Sequence, residues 1–457
     1  MDADLLAVRA LLRRCLRRRM RMGAGRTRRR QRQDRVGLRE GMSGVHVANS
    51  HSVVNSHRGL IEDQGFHSVD GEGEGEEDLE CSVGNKALEE AEVQEMRVDD
   101  EEEDDAWSQG AIPVAKVRRA RLHRERVTLE ELSDEEVYDR YHLPRGSVIE
   151  LYELLKDELE PAAYTNRALP GMVKLLSGIH FLATGSFQSS QGFNSGMAQP
   201  TFSKVLGQFL SAMKRHCQKF ISFPKTRDDW QKVKKEFYLE SGFSKVMGSI
   251  DCFDVALRPP QGEEVLYKNN SQFHSIKVQM VCDANMRIQN VFAGLPGSAD
   301  DAYILHNSSV FRDFESEALS GGWLVGNSRY ACRSWLMTPV AQPSTPEEQR
   351  YNESHKRAWL SVQCTLSMLK SRFRCLDHCG GGALQYSPQK VCEIVIACCC
   401  LHNIAQQANM LGDVELPIQE SDVIATEAEE DTHRGTQARN LVISKYFSSD
   451  ADDDVTS

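Results

Sequence analysis

The chain has 457 residues, of which 55 are Lys or Arg and 67 are Asp or Glu, so its formal net charge is −12. Its mean hydropathy is −0.48 and its longest apolar runs fall far short of the roughly 20 residues that a membrane-spanning helix needs. A charge of −12 argues against nucleic acid as a partner only if the charge is evenly spread, because affinity for phosphate comes from Lys and Arg. The charge is instead concentrated in blocks.

Residues 1–126 alternate between basic and acidic blocks. Fourteen arginines fall between Arg9 and Arg39, an acidic stretch covers 71–105, and a second basic patch covers 116–126. Like charges repel each other and bury no core, so this segment is predicted to be disordered. The arginine block is open to three interpretations: a nuclear-localisation or nucleic-acid arm, which is favoured, a transit peptide, or a solvated tail. The favoured interpretation places the protein in the nucleus, with the cytoplasm as a second location.

The segment 127–240 has the apolar spacing of helices. Apolar residues recur at intervals of three and four in predicted helices over 129–138, 147–159 and 169–184. Another helix is predicted over 198–216, with a proline just inside its start. A helix, a turn and a second helix are the pattern of a helix-turn-helix, and the first turn of its second helix offers Thr201, Ser203 and Lys204 as DNA contacts. Such pairs are also common in plain helical bundles, so both interpretations stay open.

The apolar period changes after residue 240. The predicted elements are strands over 246–251, 276–282 and 288–293, a helix over 299–310, a strand over 323–326, and helices over 346–373 and 388–404. Three antiparallel strands, a helix, a strand and a long helix are the order of a ribonuclease-H-like core, which is an α/β fold. The predicted regions are therefore 1–126, 127–240, 241–410 and an acidic tail over 411–457. One apolar run in the tail, 441–447, is suited to docking as a helix.

Acidic residues at strand ends decide the chemistry expected of such a core. Acids after the first and fourth strands and on a later helix converge on two divalent metal ions, which activate water and stabilise the leaving oxygen of a phosphodiester. Mg²⁺ prefers carboxylate oxygens. Asp251 stands at the first position, but the fourth-strand position is Asn327 and the helix position is Gln363. An isolated aspartate at a strand end is usually a cap or turn residue, so the pattern alone does not make Asp251 catalytic.

Residues 130–410 contain a series of short motifs. They are GSIDCF (248–253), FHS (273–275), VCD (281–283), LPGSADD (295–301), WLMTP (335–339), RYN (350–352), KSRFRCL (370–376) and ACCCLHNI (397–404). In these motifs the chain resembles the transposase-derived nucleases of the PIF/Harbinger class, within the DDE superfamily. It is more similar to the domesticated vertebrate harbinger nuclease than to a mobile element. Upstream, QPTFSK (199–204) resembles the family's helix-turn-helix.

The resemblance implies four acids that hold divalent metal ions for DNA cleavage. By position, the first falls on Asp251 and the second on Asp301, with Asp300 as the neighbouring alternative. The third falls on Asn327 and the fourth on Gln363. Asp251 and Asp301 are therefore the candidate catalytic and metal-binding residues. Because Asn and Gln keep the shape of the acids but lose their charge, the charge of the site falls from about −4 to about −2.

The resemblance implies a metal-dependent endonuclease, a hydrolase using Mg²⁺ or Mn²⁺. The two amides among the four metal positions predict that its metal binding is weakened and that its cleavage is impaired or absent. One ion held weakly by the two aspartates is compatible with these residues. In an alternative interpretation a nearby acid replaces a lost one; the candidates are Asp254, Asp283, Asp300 and Glu353. A second hypothesis is a catalytically inactive nuclear factor that binds DNA or protein. A third is a degraded transposase copy without a role.

DNA is the first predicted partner. Arg372 and Arg374, beside Lys370, are candidate phosphate contacts or, equally, part of a solvated helix face. The resemblance also implies a separate Myb-like protein as a partner, which brings sequence-specific DNA binding. No membrane partner is expected.

Overall fold

The computed structural model describes residues 128–161, 168–185, 197–316, 319, 321–410 and 432–448. They fall in one structural unit, Met1–Arg35 with His123–Ser457, whereas the other unit, Val36–Leu122, lies outside the described residues. The charged blocks predicted to be disordered also lie outside them. None of the described helices combines the length and the apolar character needed to cross a bilayer.

The described part of the chain begins with helices. In order they are α1 (Asp134–Tyr141), α2 (Arg145–Leu159), α3 (Gly171–Thr184), α4 (Gln199–Phe220) and α5 (Arg227–Ser241). The single helix predicted over 129–138 is wrong, because the Ser133 hydroxyl accepts a hydrogen bond from the Glu136 amide and begins α1 there, leaving a short 3₁₀ turn upstream. The other three predicted helices are confirmed, and α5 was not predicted.

Helices α3 and α4 pack closely against each other at Gly178. A Cβ atom at Gly178 would lie 2.5 Å from the Phe209 ring, so only glycine allows this approach. The segment 186–196 between the two helices lies outside the described residues, and the helix-turn-helix stays a prediction. Of its candidate DNA contacts, Thr201 and Lys204 are exposed on the first turn of α4, and Ser203 between them is half-buried.

A five-stranded mixed sheet follows in the described residues. Its strands are β1 (Val246–Ala256), β2 (Ser275–Cys282), β3 (Ile288–Pro296), β4 (Trp323–Val325) and β5 (Leu336–Met337), in the order β3-β2-β1-β4-β5. The first three form an antiparallel meander, while β4 pairs parallel to β1 and β5 parallel to β4. The α/β class and the predicted order of elements are confirmed. Strand β1 continues five residues beyond Asp251, where the predicted strand ended. Strand β5 was not predicted, because its two residues are too few to show an alternating apolar pattern.

The other helices in the described part of the chain lie between and after the strands. They are α6 (Glu264–Tyr267), α7 (Asp301–Asn307), α8 (Ser309–Glu315), α9 (Pro346–Arg372), α10 (His378–Gly381), α11 (Pro388–Gln407) and α12 (His433–Tyr446). The one helix predicted over 299–310 is wrong, because Ser308 ends α7 and its hydroxyl accepts from the Phe311 amide to begin α8. The long helix α9 and the last predicted helix, α11, are confirmed.

The largest hydrophobic core joins the first helices to the sheet. Phe209 of α4, Val278 of β2 and Ile394 of α11 are all fully buried in it. The helical region and the sheet thus share one hydrophobic core. The predicted domain boundary at residue 240 stays a prediction.

Helix α12 confirms that the apolar run of the acidic tail docks as a helix. Val442, Ile443 and Phe447 are buried, and the Phe447 ring packs edge-on against Phe243 and Tyr351. The neighbouring Leu441 is 63% exposed and faces away from the core.

Arg372 lies inside the protein, so both interpretations of it as a surface residue are wrong. Its side chain is 2% exposed. Its guanidinium contacts the Nδ1 atom of His402 at 3.0 Å and donates to the carbonyl oxygen of Met410 at 2.7 Å. Arg372 therefore fixes α9 to the end of α11 and is unavailable to DNA.

Candidate functional site

Asp251 lies in the middle of β1 and is only 4% exposed. Helix α9 packs along this strand, where the Oγ atoms of Ser249 and Ser361 are 2.6 Å apart. Two residues further along both elements, Gln363 meets Asp251. Strand β4 runs parallel to β1, with Val325 opposite Ser249, so the residue two positions on, Asn327, also reaches Asp251.

Both carboxylate oxygens of Asp251 accept hydrogen bonds from these two amides. The Nδ2 atom of Asn327 donates to Oδ1 at 2.9 Å, and the Nε2 atom of Gln363 donates to Oδ2. The backbone N–H of Cys252 also donates to Oδ1, at 2.8 Å. An amide beside a carboxylate turns its NH₂ group towards it, because two oxygens would repel each other. The carbonyl oxygen of Asn327 points elsewhere and accepts from the backbone N–H of Arg329 at 3.0 Å.

Asp301, the first residue of α7, is held by cations. Its side chain is 1% exposed; the Nζ atom of Lys277 lies 3.2 Å from Oδ1 and the Nη1 atom of Arg329 lies 3.6 Å from Oδ2. Within the described residues neither oxygen takes part in a directed hydrogen bond, so these contacts are ionic. Lys277 comes from β2, where it stands opposite Asp254 of β1.

The negative charges of Asp251 and Asp301 both act on the side chains of Cys252 and Tyr330. The Sγ atom of Cys252 lies 3.3 Å from the Tyr330 hydroxyl. Burial raises the pKa of the Cys252 thiol well above its usual range, and the charges of Asp301 and Asp251 raise it further. The pKa of the Tyr330 phenol is likewise raised well above its usual range, first by burial and then by Cys252 and the two aspartates. The structure thus brings all four predicted positions, Asn327 and Gln363 included, into one site.

The nearby acids are engaged in other contacts or exposed. Asp254 accepts a hydrogen bond from the Ser275 hydroxyl at 2.6 Å, and Asp283 accepts two backbone bonds in the turn between β2 and β3. Burial raises the pKa of Asp283 to about 6. Asp300 and Glu353 are exposed. Across the described ranges, no group of three or more His, Cys, Asp or Glu side chains is arranged to hold a metal ion.

The donor set does not fit a pair of divalent metal ions. Metal ions of this kind need oxygen ligands with negative charge, whereas Asp251 faces two NH₂ groups and Asp301 faces two cations. An ion at Asp251 would have to displace both amide hydrogen bonds. An ion at Asp301 would meet the ammonium group of Lys277.

Comparison with known proteins identifies the family. Residues 250–403 match the family described as DDE superfamily endonuclease. The chain is 37% identical over 287 residues to HARBI1 of Homo sapiens, a match that covers 61% of this chain and 82% of the human protein. The chain belongs to the Harbinger-derived family of DDE nucleases. No solved structure matches it.

Other relatives carry the same family relationship. The Harbinger-derived HARBI1 of Xenopus laevis is 34% identical over 291 residues, covering 64% of this chain and 82% of that protein. The ALP1-like protein of Arabidopsis thaliana is 28% identical over 239 residues, covering 49% of this chain and 57% of that protein. DDE superfamily endonucleases typically use divalent metals, so the amides and cations of this site stand where metal chemistry is expected.

Sequence reasoning did not find Lys277 and Arg329 as members of the site. Their contacts with Asp301 span 24 and 28 residues of chain and depend on how β2, α7 and the loop after β4 come together. The only local signal is that Lys277 interrupts an otherwise largely apolar strand.

Proposed function

We propose that this protein is a nuclear member of the Harbinger-derived DDE nucleases whose metal-dependent cleavage of DNA is strongly impaired or lost, and which acts by binding DNA or protein. The observation that carries the proposal is the environment of Asp251. Both of its oxygens are occupied by NH₂ groups of Asn327 and Gln363, the residues at two of the four metal positions.

The electrostatics of the site support this proposal. A carboxylate gives a divalent ion a negative charge and up to two oxygen ligands, whereas an amide gives one neutral oxygen. Here the amides also turn their NH₂ hydrogens to Asp251, so their partial positive charge lies where an ion would bind. Asp251 and Asp301 alone supply too little charge for two ions.

The preserved packing argues against a decayed copy. Asp251 and Asp301 are buried, the Ser249–Ser361 contact keeps α9 in register with β1, and the Harbinger motifs stand in their order. A weakly active nuclease with one Mg²⁺ or Mn²⁺ on the two aspartates is the second candidate. It is favoured only by the presence of both carboxylates in one site.

The cleavage test is a plasmid-nicking assay with Mg²⁺ or Mn²⁺. It compares the wild type, Asp251→Ala, and the double variant Asn327→Asp/Gln363→Glu. We expect no nicking above the Asp251→Ala background by the wild type. Wild-type nicking that disappears in Asp251→Ala would refute the proposal and support the weakly active nuclease.

DNA is the proposed ligand, and the exposed first turn of α4 is the proposed contact. Thr201 and Lys204 are exposed there and Ser203 is half-buried. Electrophoretic mobility shifts with nuclear DNA fragments should weaken in Thr201→Ala/Lys204→Ala. Lys235→Ala, an exposed lysine on α5, is the matched control for loss of one positive charge. Equal binding by both variants would remove α4 from the interface.

A Myb-like protein is the proposed partner that supplies sequence specificity, and the nucleus is the proposed location. Affinity capture from nuclear extract followed by mass spectrometry tests the partner. Imaging of the tagged full chain, with and without residues 9–39, tests the role of the arginine block in import. Capture without any Myb-like protein contradicts the first proposal, and unchanged nuclear signal after deletion contradicts the role of the arginines.

A further inference from the structure

We infer that Lys277 and Arg329 are counter-ions that balance the charge of Asp301 in the absence of a metal ion. The inference rests on the proposed function and deepens it. Loss of two acids explains why metal binding is weakened; the counter-ions explain why the remaining carboxylates do not recruit an ion by themselves.

The first step is that the cations are part of the site's interior. The Lys277 side chain is 12% exposed and its Nζ atom lies 3.2 Å from Oδ1 of Asp301. Asp301 itself is 1% exposed, so little water is available to screen this pair. Arg329 approaches the other oxygen of Asp301 at 3.6 Å from the solvent side and is half exposed. Lys277 is thus the inner, largely buried cation beside Asp301, and Arg329 is the outer, half-exposed one.

The second step is that one of the two cations, Arg329, is linked to an altered metal position, Asn327. The backbone N–H of Arg329 donates to the side-chain Oδ1 atom of Asn327, and the NH₂ group of the same side chain donates to Asp251. Asn327 therefore links the neutral network at Asp251 to the ionic cluster at Asp301. An aspartate at position 327 would offer Asp251 no donor and would keep only the bond to the Arg329 backbone.

The third step is charge. Lys277 and Arg329 place two positive charges beside Asp301, whereas Asp254, which stands opposite Lys277 on β1, accepts a hydrogen bond from the Ser275 hydroxyl. One positive charge at about 5 Å from a divalent ion weakens its binding about tenfold even in water, and more in a buried site. Restoring Asn327→Asp and Gln363→Glu adds the missing oxygens but leaves both counter-ions in place. Metal affinity should then recover only in part.

The experiment measures Mn²⁺ binding to the full chain by electron paramagnetic resonance of free Mn²⁺. Three variants are compared: Asn327→Asp/Gln363→Glu, the same with Arg329→Gln, and the same with Lys235→Gln as the charge-matched control on α5. The outer cation is chosen because its removal leaves Lys277 beside the buried Asp301 and so preserves folding, which circular dichroism checks. The wild type is titrated in parallel.

We expect the Arg329→Gln triple variant to bind Mn²⁺ about tenfold more tightly than the double variant, and the Lys235→Gln control to bind like the double variant. Equal Mn²⁺ binding by the three variants, or no measurable binding by any of them, overturns the inference. Tight Mn²⁺ binding by the wild type is a different result: it would overturn the proposed function as well, whereas equal binding among the variants leaves that proposal standing.

Discussion

The Nδ2 atom of Asn327 lies 2.9 Å from the Oδ1 atom of Asp251, and the hydrogen bond between them joins the end of β4 to the middle of β1. The two residues stand where parallel strands bring their side chains together, so the scaffold of a Harbinger-derived nuclease is retained. In the proposed function its chemistry is altered, because an NH₂ donor stands where the family resemblance implies a metal-binding oxygen. The site is arranged for internal hydrogen bonding.

This relationship predicts that acids at the altered positions destabilise the metal-free protein. Asn327→Asp replaces a hydrogen bond to the buried Asp251 by repulsion between two carboxylates. We expect the free energy of unfolding in EDTA, measured with urea, to fall by about 2–4 kcal/mol. The swapped pair Asp251→Asn/Asn327→Asp keeps one amide facing one carboxylate and should recover part of the loss, because the Cys252 N–H, which donates to the same Oδ1 atom, then faces an NH₂ group. A swap as unstable as Asn327→Asp alone would show that the pair does not interact as described.

Much of the sheet could be predicted from the sequence, because its strands are apolar runs separated by turn residues. Strands β1 to β3 and helix α9 were found in this way. Short elements and divided helices were not found. Ser133 begins α1 after a short 3₁₀ turn, and Ser308 ends α7 and begins α8, which apolar spacing does not reveal. Arg372 was misplaced because its burial depends on His402 and Met410, which are distant in sequence.

The candidate site was predictable as far as family resemblance extends. Asp251, Asp301, Asn327 and Gln363 fall on the four metal positions that the resemblance implies, and the structure brings them together. The two counter-ions could not be predicted, because their contacts with Asp301 depend on the register of β1 with β2 and on the positions of α7 and of the loop after β4. The local sequence shows Lys277 as a charged residue in a largely apolar strand, but it does not identify Asp301 as its partner.

The environment of His402 predicts that the free energy of unfolding falls at acidic pH. Its Nδ1 atom accepts from Arg372 and its Nε2 atom donates to the Met286 carbonyl at 2.9 Å, so the ring must be neutral. Burial, and then the charge of Arg372, lower its pKa to about 3. A lowered histidine pKa stabilises the fold above the unfolded value of about 6.5, and this stability is lost as the pH falls from there towards about 3.

The measurement is urea unfolding at two pH values. Between about pH 7.5 and about pH 5.5, His402 should account for a loss of about 1.4 kcal/mol in the free energy of unfolding. His355, whose pKa burial lowers to about 4, adds a similar loss. The variant His402→Gln, which keeps one donor and one acceptor, should lose about 1.4 kcal/mol less than the wild type over this interval. The same pH dependence in both proteins would mean that His402 is not held neutral.

Substitution of Gly178 tests the close approach between α3 and α4. A Cβ atom there would lie 2.5 Å from the Phe209 ring, so Gly178→Ala should lower the free energy of unfolding by about 1–3 kcal/mol. Gly207 on α4 has open space where a Cβ atom would lie, so Gly207→Ala should instead raise the free energy of unfolding by about 0.5–1 kcal/mol. Thermal unfolding of the two variants decides the matter; equal shifts would contradict the packing at Gly178.

The close packing of Gly435 predicts that α12 stabilises the loop that carries Asn327 and Arg329 of the candidate site. Thr432 donates from its hydroxyl to the carbonyl oxygen of Cys332 at 3.0 Å, and a Cβ atom at Gly435 would lie 1.9 Å from that same oxygen. Gly435→Ala should therefore push the start of α12 off the loop that runs from Asn327 to β5. Hydrogen exchange of this loop and of α12 should accelerate together by at least about tenfold, which corresponds to about 1.4 kcal/mol of local stability.

The matched control is Leu441→Ser on the same helix, because Leu441 is 63% exposed and makes no contribution to the core. It should leave exchange of the loop unchanged. If Gly435→Ala accelerates exchange in α12 alone, the helix docks without supporting the site, and the loop holding Asn327 and Arg329 is stabilised by the sheet and by Tyr330 instead. Acceleration in both segments would make docking of α12 a condition for the arrangement around Asp251 and Asp301.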